Sequence, residues 1–460
     1  MLNLGIGIGI FSLIIYILVI LLLNTKLKRK MDECMFWGFC ILLIITAIFK
    51  GNMTEAFQKS LKFGFKQEVV YAAMIFSFMA VLMQKTGVIN RLVNILNSFL
   101  GRFRGGAAYV STIASALFGM ISGSGSGNAA AVGAITIPWM KQTGWNSEMS
   151  TTIVAGNAGL GICFPPSSSM FLLLGMPVIS SELTSSNLYI TLMSGALIIL
   201  LYRLILIRYY VAKYKIQATT NEQTKSLNKV FTSNCSSLLI FLGVLIPIFI
   251  TSGSFSNYLT NNPTFGEKAL KAISLITWIP VLIIIITFIE GWKYLPKKIN
   301  EWSELCKKAM PSFASGVLLF FAFASSRLLI NLGLEEEVTT IFSYLANYSK
   351  YIVIIGLAIL SLLMVGPFTG TATTTAIGSV GYIALRSINV PPTIACTTLL
   401  IMFSNEGCMP PNSAPVYIAS SISSLEDPGS TFIKLILHFA FPTVFLAILM
   451  SLGIIHYLRR

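Results

Sequence analysis

Long apolar segments alternate with short polar connections along the whole chain. A helix needs about 20 largely apolar residues to cross a bilayer, so this pattern predicts a series of membrane-spanning helices. We place ten spans, at Gly5–Leu23, Met35–Ile48, Val69–Met83, Ser150–Met176, Leu188–Ile207, Leu238–Thr251, Ile273–Ile289, Phe313–Leu332, Thr393–Ser421 and Ile433–Leu458. The expected fold is therefore an all-α polytopic membrane protein.

Several apolar segments are interrupted by residues that break helices. Ala107–Met140 and Tyr351–Leu385 each carry a cluster of small polar residues near the centre, which is Ser122–Asn128 in the first. Each arm is too short for a full crossing, so both segments predict re-entrant hairpins. The fourth and ninth spans are broken at Gly159–Pro166 and Ser404–Pro415. Because lipid cannot satisfy free backbone groups, these breaks indicate a polar site near the membrane midplane.

The interrupted segments recur 245 residues further along the chain. Without any gap, identical or similar residues pair as Gly125 with Gly370, Ser126 with Thr371, Gly133 with Gly378, Cys163 with Cys408, Pro165 with Pro410, Pro166 with Pro411 and Ser168 with Ser413. Paired interruptions of this kind mark the internal repeats of transporters. We expect one repeat over residues 1–216, a cytoplasmic linker over 217–237 and a second repeat over 238–460. Each repeat has an odd number of crossings, so the two should be inverted.

Composition and charge support a membrane location. Charged residues make up only 11% of the chain, whereas soluble proteins contain about 25%. The net charge of +15 arises from Lys and Arg in the connections between spans, which argues for cytoplasmic loops and against nucleic-acid binding. The basic cluster Lys26–Lys30 follows the first span. We therefore expect a multi-pass protein of the cytoplasmic membrane, in contact with lipid, with its N-terminus outside.

The two hairpin tips and two broken spans are expected to meet. They bring together many neutral side-chain oxygens, which suit a weakly held hard cation such as Na⁺, while exposed helix N-termini suit an anionic group. The alternative for any single Ser or Thr is packing or hydrogen bonding within its own helix. The oxygens belong to Ser122, Ser124, Ser126, Asn128, Asn157, Thr369, Thr371, Thr373, Thr375, Asn405 and Asn412.

Two ionisable residues lie inside apolar segments. Arg327 falls within the eighth span and Glu406 within the break of the ninth. Charges at membrane depth are costly, so such residues are functional candidates. Arg327 is a candidate counter-charge for an anionic solute, with snorkelling or a structural ion pair as the alternative. Glu406 is a candidate for ion coupling, either as a Na⁺ ligand or by proton exchange, and an ion pair with Arg327 is the alternative.

These features favour a secondary transporter over other classes. No serine of the Gly/Ser run stands in a G-x-S-x-G context, and both histidines lie in the last span, so an intramembrane enzyme is disfavoured. No Walker motif supports ATP hydrolysis by this chain. The seven cysteines are scattered and predict neither a zinc site nor a disulfide framework. We expect a carrier for a small, anionic organic solute, with Na⁺ or H⁺ as coupling ion and no cofactor. A passive channel is the alternative.

The first half resembles a known family. Ile121–Ser124, Asn128–Gly133, Ile137–Pro138, Leu160–Gly161 and Pro165–Ser167 look like the large membrane subunit of TRAP dicarboxylate transporters. More broadly, the chain resembles the ion-transporter superfamily of inverted-repeat elevator carriers, and within it an uncharacterised ten-span family of prokaryotic membrane proteins.

The resemblance implies a site and a mechanism. A moving transport domain on a fixed scaffold is implied, and a binding protein, a small subunit or a second copy of the chain are the partners to consider. The implied sodium and substrate site is lined by Ser122, Gly123, Ser124, Asn128, Gly161, Pro165 and Pro166. The second half matches less well, since its threonine-rich tip and the spacing of Glu406 to Pro410 differ; the equivalent Pro410 and Pro411 complete the candidate set.

Overall fold

The computed structural model describes residues 7–123, 125–217, 232–251, 253–262, 275–366, 370–410 and 413–455. Helices and turns account for the described part of the chain, in which no strand occurs. The helices of the first half are α1 Ile8–Leu21, α2 Met31–Lys50, α3 Met53–Lys66, α4 Glu68–Lys85, α5 Val88–Leu100, α6 Gly106–Ser122, α7 Gly125–Gln142, α8 Ser147–Ala158, α9 Leu160–Cys163, α10 Ser168–Leu174, α11 Pro177–Ser180 and α12 Ser185–Lys213.

The second half is built from a similar series of helices. A 3₁₀ turn over Cys235–Phe241 leads into it. The helices are α13 Leu242–Thr251, α14 Gly253–Thr260, α15 Leu275–Glu290, α16 Ile299–Asn331, α17 Leu334–Tyr348, α18 Lys350–Val365, α19 Gly370–Ser387, α20 Pro392–Phe403, α21 Ala414–Ser423, α22 Phe432–Leu435 and α23 Phe441–Ser451. A π-helical turn over Ile436–Ala440 joins the last two. The prediction of an all-α fold is confirmed.

The exposed surface is that of a membrane protein. Five helical stretches are long and apolar enough to cross a bilayer within the described residues: Asp32–Lys50, Ser147–Leu174, Ser185–Lys213, Thr232–Thr251 and Pro428–Ser451. Large apolar side chains stand exposed on them, including Trp37, Ile44 and Phe249. Apolar patches of this extent are not tolerated in water and are expected to face lipid. The prediction of a polytopic membrane protein is confirmed.

The interruptions fall where the sequence predicts them. Helices α6 and α7 pack against each other as one hairpin, and α18 and α19 as a second. The fourth span divides into α8, α9 and α10, and the ninth into α20 and α21. The bounds repeat with the sequence: a shift of 245 residues carries α7 onto α19 and α8 onto α20 at both ends. These two helix pairs therefore keep the 245-residue spacing, while the division of the whole chain into two inverted repeats stays a prediction.

Helices α5 and α17, like the short α14, lie in segments that the sequence was read to assign to connections. Helix α5 follows α4, and α17 follows α16, in segments that we assigned to connections because they carry Arg91 and Glu335–Glu337. Both are amphipathic, and α5 buries one face through Val88, Leu92 and its neighbours. The signal was present as apolar residues at helical spacing, but the charges were given more weight. These two helices connect the helix groups on either side of them.

The helices associate in two groups. Helices α2, α3 and α4 pack with α16, while α4 also packs on α15, which holds α13. The two hairpins pack with the broken helices α8–α10 and α20–α21, and α12 and α23 pack beside them. Helix α5 links the groups by contacts to α4 and α6, and α17 does so by contacts to α1, α19 and α18.

Polar contacts fasten both linking helices to the first group. Arg91 of α5 forms an ion pair with Glu290 at the end of α15. Glu337 of α17 accepts hydrogen bonds from three backbone N–H groups at the start of α1: Gly7 at 3.1 Å, Gly9 at 2.9 Å and Ile10 at 2.8 Å. A carboxylate at a helix N-terminus satisfies free donors and complements the helix dipole. Polar contacts therefore bind α5 to α15 and α17 to α1.

The charge pattern predicts the sidedness of exposed positions. Most of the linker Gln217–Asn234 lies outside the described residues, whereas residues 253–262 of the loop Ser252–Phe265 are described. We choose Asn257 in that loop and Lys293 in the loop Gly291–Cys306, which are both described and exposed. In intact cells, Lys293→Cys should resist an impermeant thiol reagent and Asn257→Cys should react, on a background without other cysteines. Lysis should make Lys293→Cys reactive, which serves as the control. External labelling at Lys293 would contradict the orientation and, with it, the inverted repeat.

Candidate functional site

The two broken helices cross each other at their breaks. A Cβ on Gly159 would overlap the carbonyl oxygen of Ser404, and one on Gly407 would overlap that of Ala155. Gly159 and Ser404 are also equivalent positions in the 245-residue repeat. The backbones thus touch directly, and glycine is required at both contacts because no other residue leaves enough space. The crossing brings the C-terminal ends of α8 and α20 together.

The first hairpin packs tightly on this crossing. Helix α6 ends at Gly123, whose φ of +62° is left-handed and favours glycine. A Cβ on Gly119 would lie 2.8 Å from the Cα of Gly161 in α9, so the hairpin and the broken helix also meet through glycines. Ser168, at the start of α10, donates a 3.5 Å hydrogen bond to the carbonyl of Gly123. The hairpin end therefore sits directly against the broken segment.

Asn128 joins three helices at this point. Its side chain is fully buried, and its Nδ2 donates to the carbonyls of Ser115 in α6, at 2.8 Å, and Ala158 at the end of α8, at 2.9 Å. Its Oδ1 is buried and has no hydrogen-bond partner. Asn128 therefore positions the start of α7 and offers one unused acceptor.

We predict that Asn128→Ala lowers both stability and transport. The change removes the side-chain donor of two buried carbonyl oxygens, of which that of Ala158 lies at a helix end, and should cost about 1–3 kcal/mol. The matched control is Thr136→Val, also buried in α7, whose hydroxyl contacts only the Val132 carbonyl and Ser111. Uptake per folded molecule should fall for Asn128→Ala and stay near wild type for the control. Equal uptake per folded molecule in both variants would remove Asn128 from the site.

Glu406 lies between the N-termini of α7 and α19, which are the second helices of the two hairpins. It is only 7% exposed. Its Oε2 accepts a 2.9 Å hydrogen bond from the backbone N–H of Gly370, the first residue of α19. A Cβ on Gly125, the first residue of α7, would lie 2.7 Å from its Oε1. One carboxylate thus contacts two helix N-termini, where negative charge is stabilised.

The ion pair considered for Glu406 does not form. Arg327 is half-buried in α16, and although the structure describes both residues, no salt bridge joins them. Arg327 therefore stays a candidate counter-charge with no contact to the crossing. The acid is held by backbone instead, which the sequence did not indicate.

The other candidate residues cluster around the same crossing. Asn157 donates from Nδ2 to Thr112 Oγ1 and to the Ile153 carbonyl, both at 2.9 Å. Asn405 donates from Nδ2 to the Met402 carbonyl at 2.9 Å. Asn157 Oδ1, Asn405 Oδ1 and Thr373 Oγ1 are buried without a hydrogen-bond partner. With Asn128, the surroundings of the crossing are rich in unused acceptors, which is the chemistry that suits a hard cation or a donor group.

The remaining predicted residues divide into described and undescribed positions. Ser126 and Thr371 are half-buried in the first turns of α7 and α19, and the Thr375 hydroxyl is used within its helix by a 3.0 Å bond to the Thr371 carbonyl. Pro165 and Pro166 are buried, whereas Pro410 is exposed. Positions outside the described residues are Ser124, Thr369, Pro411, Asn412 and the side chain of Ser122.

Sequence reasoning missed a buried arginine. Arg203 of α12 is 1% exposed, donates from Nη2 to Thr443 Oγ1 at 2.8 Å and lies 4.5 Å from the ring centre of Phe439. That ring also fills the space beside Gly156 of α8. A lone charge within the apolar run Leu188–Ile207 was the signal that could have found it. The Phe439 ring thus lies between the Arg203 guanidinium and Gly156 of α8.

No group of three or more His, Cys, Asp or Glu side chains able to hold a metal occurs among the described residues. All seven cysteines are free thiols. The arrangement can bind and release a solute or a weakly held ion.

Known structures share this fold. A crystal structure of the Alcanivorax borkumensis YdaH transporter superposes with a TM-score of 0.64 at 13% identity, covering 92% of this chain and 98% of that one. The structure of Neisseria gonorrhoeae MtrF, described with a class of antimetabolite efflux pumps, gives a TM-score of 0.60 at 12% identity, with 89% and 84% covered. At these identities the likeness shows the fold alone.

Curated relatives match over part of their length. The sialic acid TRAP transporter permease protein SiaT of Haemophilus influenzae is 27% identical over 239 residues, which is 52% of this chain and 37% of SiaT. The C4-dicarboxylate TRAP transporter large permease protein DctM of Pseudomonas aeruginosa is 26% identical over 253 residues, which is 55% of this chain and 53% of DctM. The chain thus spans about half or less of the length of these relatives.

A family model covers nearly all of the chain. The model described as "Tripartite ATP-independent periplasmic transporter, DctM component" matches residues 2–455, so the likeness extends through the second half, where the sequence motifs were less faithful. The expected resemblance to TRAP large permeases is confirmed. The chain belongs to the DctM-component family of tripartite ATP-independent periplasmic transporters.

Proposed function

We propose that the chain is the solute-translocating large permease of a secondary transporter for a small organic acid in the cytoplasmic membrane. The observation that carries this proposal is the crossing of two broken helices between two hairpins, with Glu406 and buried unused acceptors around it. Broken helices at membrane depth build the substrate sites of secondary transporters. The organic-acid cargo follows from the sialic acid and C4-dicarboxylate relatives.

Transport is coupled to Na⁺ or H⁺ in this proposal. The neutral acceptors Asn128 Oδ1, Asn157 Oδ1 and Asn405 Oδ1 support a weakly bound cation near the C-terminal ends of α8 and α20. Glu406 supports either ion, since a buried carboxylate can exchange a proton or accompany a cation. The inverted repeat stays part of the proposal and supports alternating access around one site.

The proposed movement is of the elevator type. Helices α5 and α17 are fastened to α15 and α1 by Glu290 and Glu337, while the hairpins and broken helices pack as a separate group. Anchored connectors next to a second packed group suit a carrier in which that group shifts as a unit. A scaffold of α1–α4 and α13–α16 with a moving group of α6–α12 and α18–α23 is the expected division.

The partners are proposed from the family. Its description names a tripartite, periplasmic transporter, so a solute-binding protein and a small permease subunit are the expected partners. A homodimer stays a further prediction for the assembly.

Uptake into proteoliposomes tests the function. Purified protein, alone and with the two partner components, is reconstituted and given a panel of radiolabelled carboxylates under an imposed Na⁺ or H⁺ gradient. Accumulation of one solute above its external concentration, abolished by an ionophore that collapses the gradient, is the expected result. Uptake that only equilibrates, whatever the gradient, would instead identify a passive channel.

A further inference from the structure

Glu406 already supplies the negative charge that two helix N-termini attract. Its carboxylate accepts the Gly370 N–H of α19 at 2.9 Å and packs against Gly125 of α7. Gly125 and Gly370 are equivalent positions of the repeat. The same position of each hairpin therefore contacts the Glu406 carboxylate. The partial positive charges of both helix ends are therefore balanced by the protein itself.

Polar atoms without a hydrogen-bond partner lie within one helical turn of the two glycines that touch this acid. Asn128 and Thr373 are equivalent positions, one turn into α7 and α19, and Asn128 Oδ1 and Thr373 Oγ1 are both buried without a hydrogen-bond partner. Asn405 precedes Glu406 and leaves its own Oδ1 buried and unpartnered. The amide nitrogens of both asparagines are occupied by backbone carbonyls. Two amide oxygens, which can only accept, and the Thr373 hydroxyl, which can accept or donate, therefore remain without a partner.

The described part of the chain brings no positive side chain to this place. Glu406 takes part in none of the ion pairs found among the described residues, and Arg327 does not reach it. A buried carboxylate with unused acceptors nearby is stabilised by a ligand that carries positive charge and N–H donors. A plain carboxylate solute would bring a second negative charge to the helix starts that Glu406 occupies.

We propose that the transported solute presents a positively charged nitrogen to Glu406, so that the cargo is an amino-bearing organic acid and not a simple carboxylate. This proposal rests on the proposed function and narrows its substrate class. The ammonium group donates to the Glu406 carboxylate and to the amide oxygens beside it. Glu406 is thus a specificity-determining residue of the site.

Matched solute pairs test the substrate class. Proteoliposomes with any required partner components are given aspartate against succinate, glutamate against glutarate and 4-aminobutyrate against butyrate, so that each pair differs by one amino group. In wild type, the amino member of at least one pair should be taken up about 10- to 100-fold better, the range expected for a charged hydrogen bond. Glu406→Gln keeps the shape of the side chain and should remove most of this preference. The control is Glu301→Gln, which changes an exposed acid at the start of α16. This variant should keep the wild-type preference for the amino member of each pair.

The outcomes separate this proposal from the proposed function. Preferential uptake of succinate, glutarate or butyrate by wild type would overturn the amino-bearing cargo while leaving the carrier intact. A Glu406→Gln variant that is folded, as judged by its melting temperature, and keeps the wild-type preference would overturn it too. If Glu406→Gln does not fold, the wild-type ratios and competition of labelled solute by each pair member decide the matter. Absence of driven uptake for every solute would contradict the proposed function itself.

Discussion

Replacing Gly159 by valine should eliminate folded, active protein. A Cβ at this position overlaps the carbonyl oxygen of Ser404, so the two broken helices could not cross as they do. Forcing extra atoms into a packed interior costs about 1–3 kcal/mol when side chains can adjust, and backbone adjusts far less. We expect a loss of at least about 3 kcal/mol in the free energy of unfolding and no measurable uptake. Melting temperature in detergent and uptake in proteoliposomes are the measurements.

Gly356→Val is the matched control for this change. Gly356 lies inside α18, and a Cβ there would meet no atom within 4 Å. Valine at Gly356 should fold and transport like wild type, since it enters open space on a helix. If Gly159→Val behaves like Gly356→Val, the breaks do not touch in the working protein and the crossing is not the centre of the site.

Removing the carboxylate of Glu337 should give the second largest effect. Three backbone N–H groups at the start of α1 lose their acceptor in Glu337→Ala. Hydrogen bonds to a charged group make a net contribution to stability of about 1.5–3 kcal/mol each. Because this contact is only partly buried, we expect a net loss of about 2–4 kcal/mol. Transport should fall as well, since α17 would no longer be anchored to α1.

Glu336→Ala provides the control within the same helical turn. Glu336 is exposed, and the three N–H groups at the start of α1 bond to Glu337 and not to Glu336. Its removal should leave the melting temperature and uptake near the wild-type values. Glu337→Gln keeps one acceptor oxygen but no charge. Its melting temperature should lie between those of Glu337→Ala and Glu336→Ala. A melting temperature for Glu337→Ala equal to that of Glu336→Ala would contradict the anchoring role.

Local sequence signals were sufficient for the interrupted elements. Helices end where glycine and proline remove the helical ladder, so the breaks at Gly159–Pro166 and Ser404–Pro415 and both hairpins could be read directly. The helix-breaking residues of the first half recur 245 residues later, so each predicted break was supported by its counterpart in the other half. Glu406 stood out because a charge inside an apolar segment is costly.

Contacts between segments far apart in the chain could not be predicted from local sequence signals. Glu406 is held by Gly370, and nothing local to either residue predicts that pairing. Arg203 was overlooked because it lies in a segment that reads as an ordinary span, and its partner Thr443 is far along the chain. Helices α5 and α17 were missed because their charges resemble those of a loop, while their apolar faces matter only once the neighbouring helices are in place.

The central claim is that the solute binds where the hairpin starts meet Glu406 and the crossing. Ser126 lies half-buried in the first turn of α7 at this place. The most direct measurement is the rate at which a thiol reagent modifies Ser126→Cys, on a background without other reactive cysteines, with and without the solute that the protein accumulates. We expect the solute to slow modification at Ser126→Cys and to leave the modification rate of Lys293→Cys unchanged. An unchanged rate at Ser126→Cys, in protein that still accumulates the same solute, would contradict it.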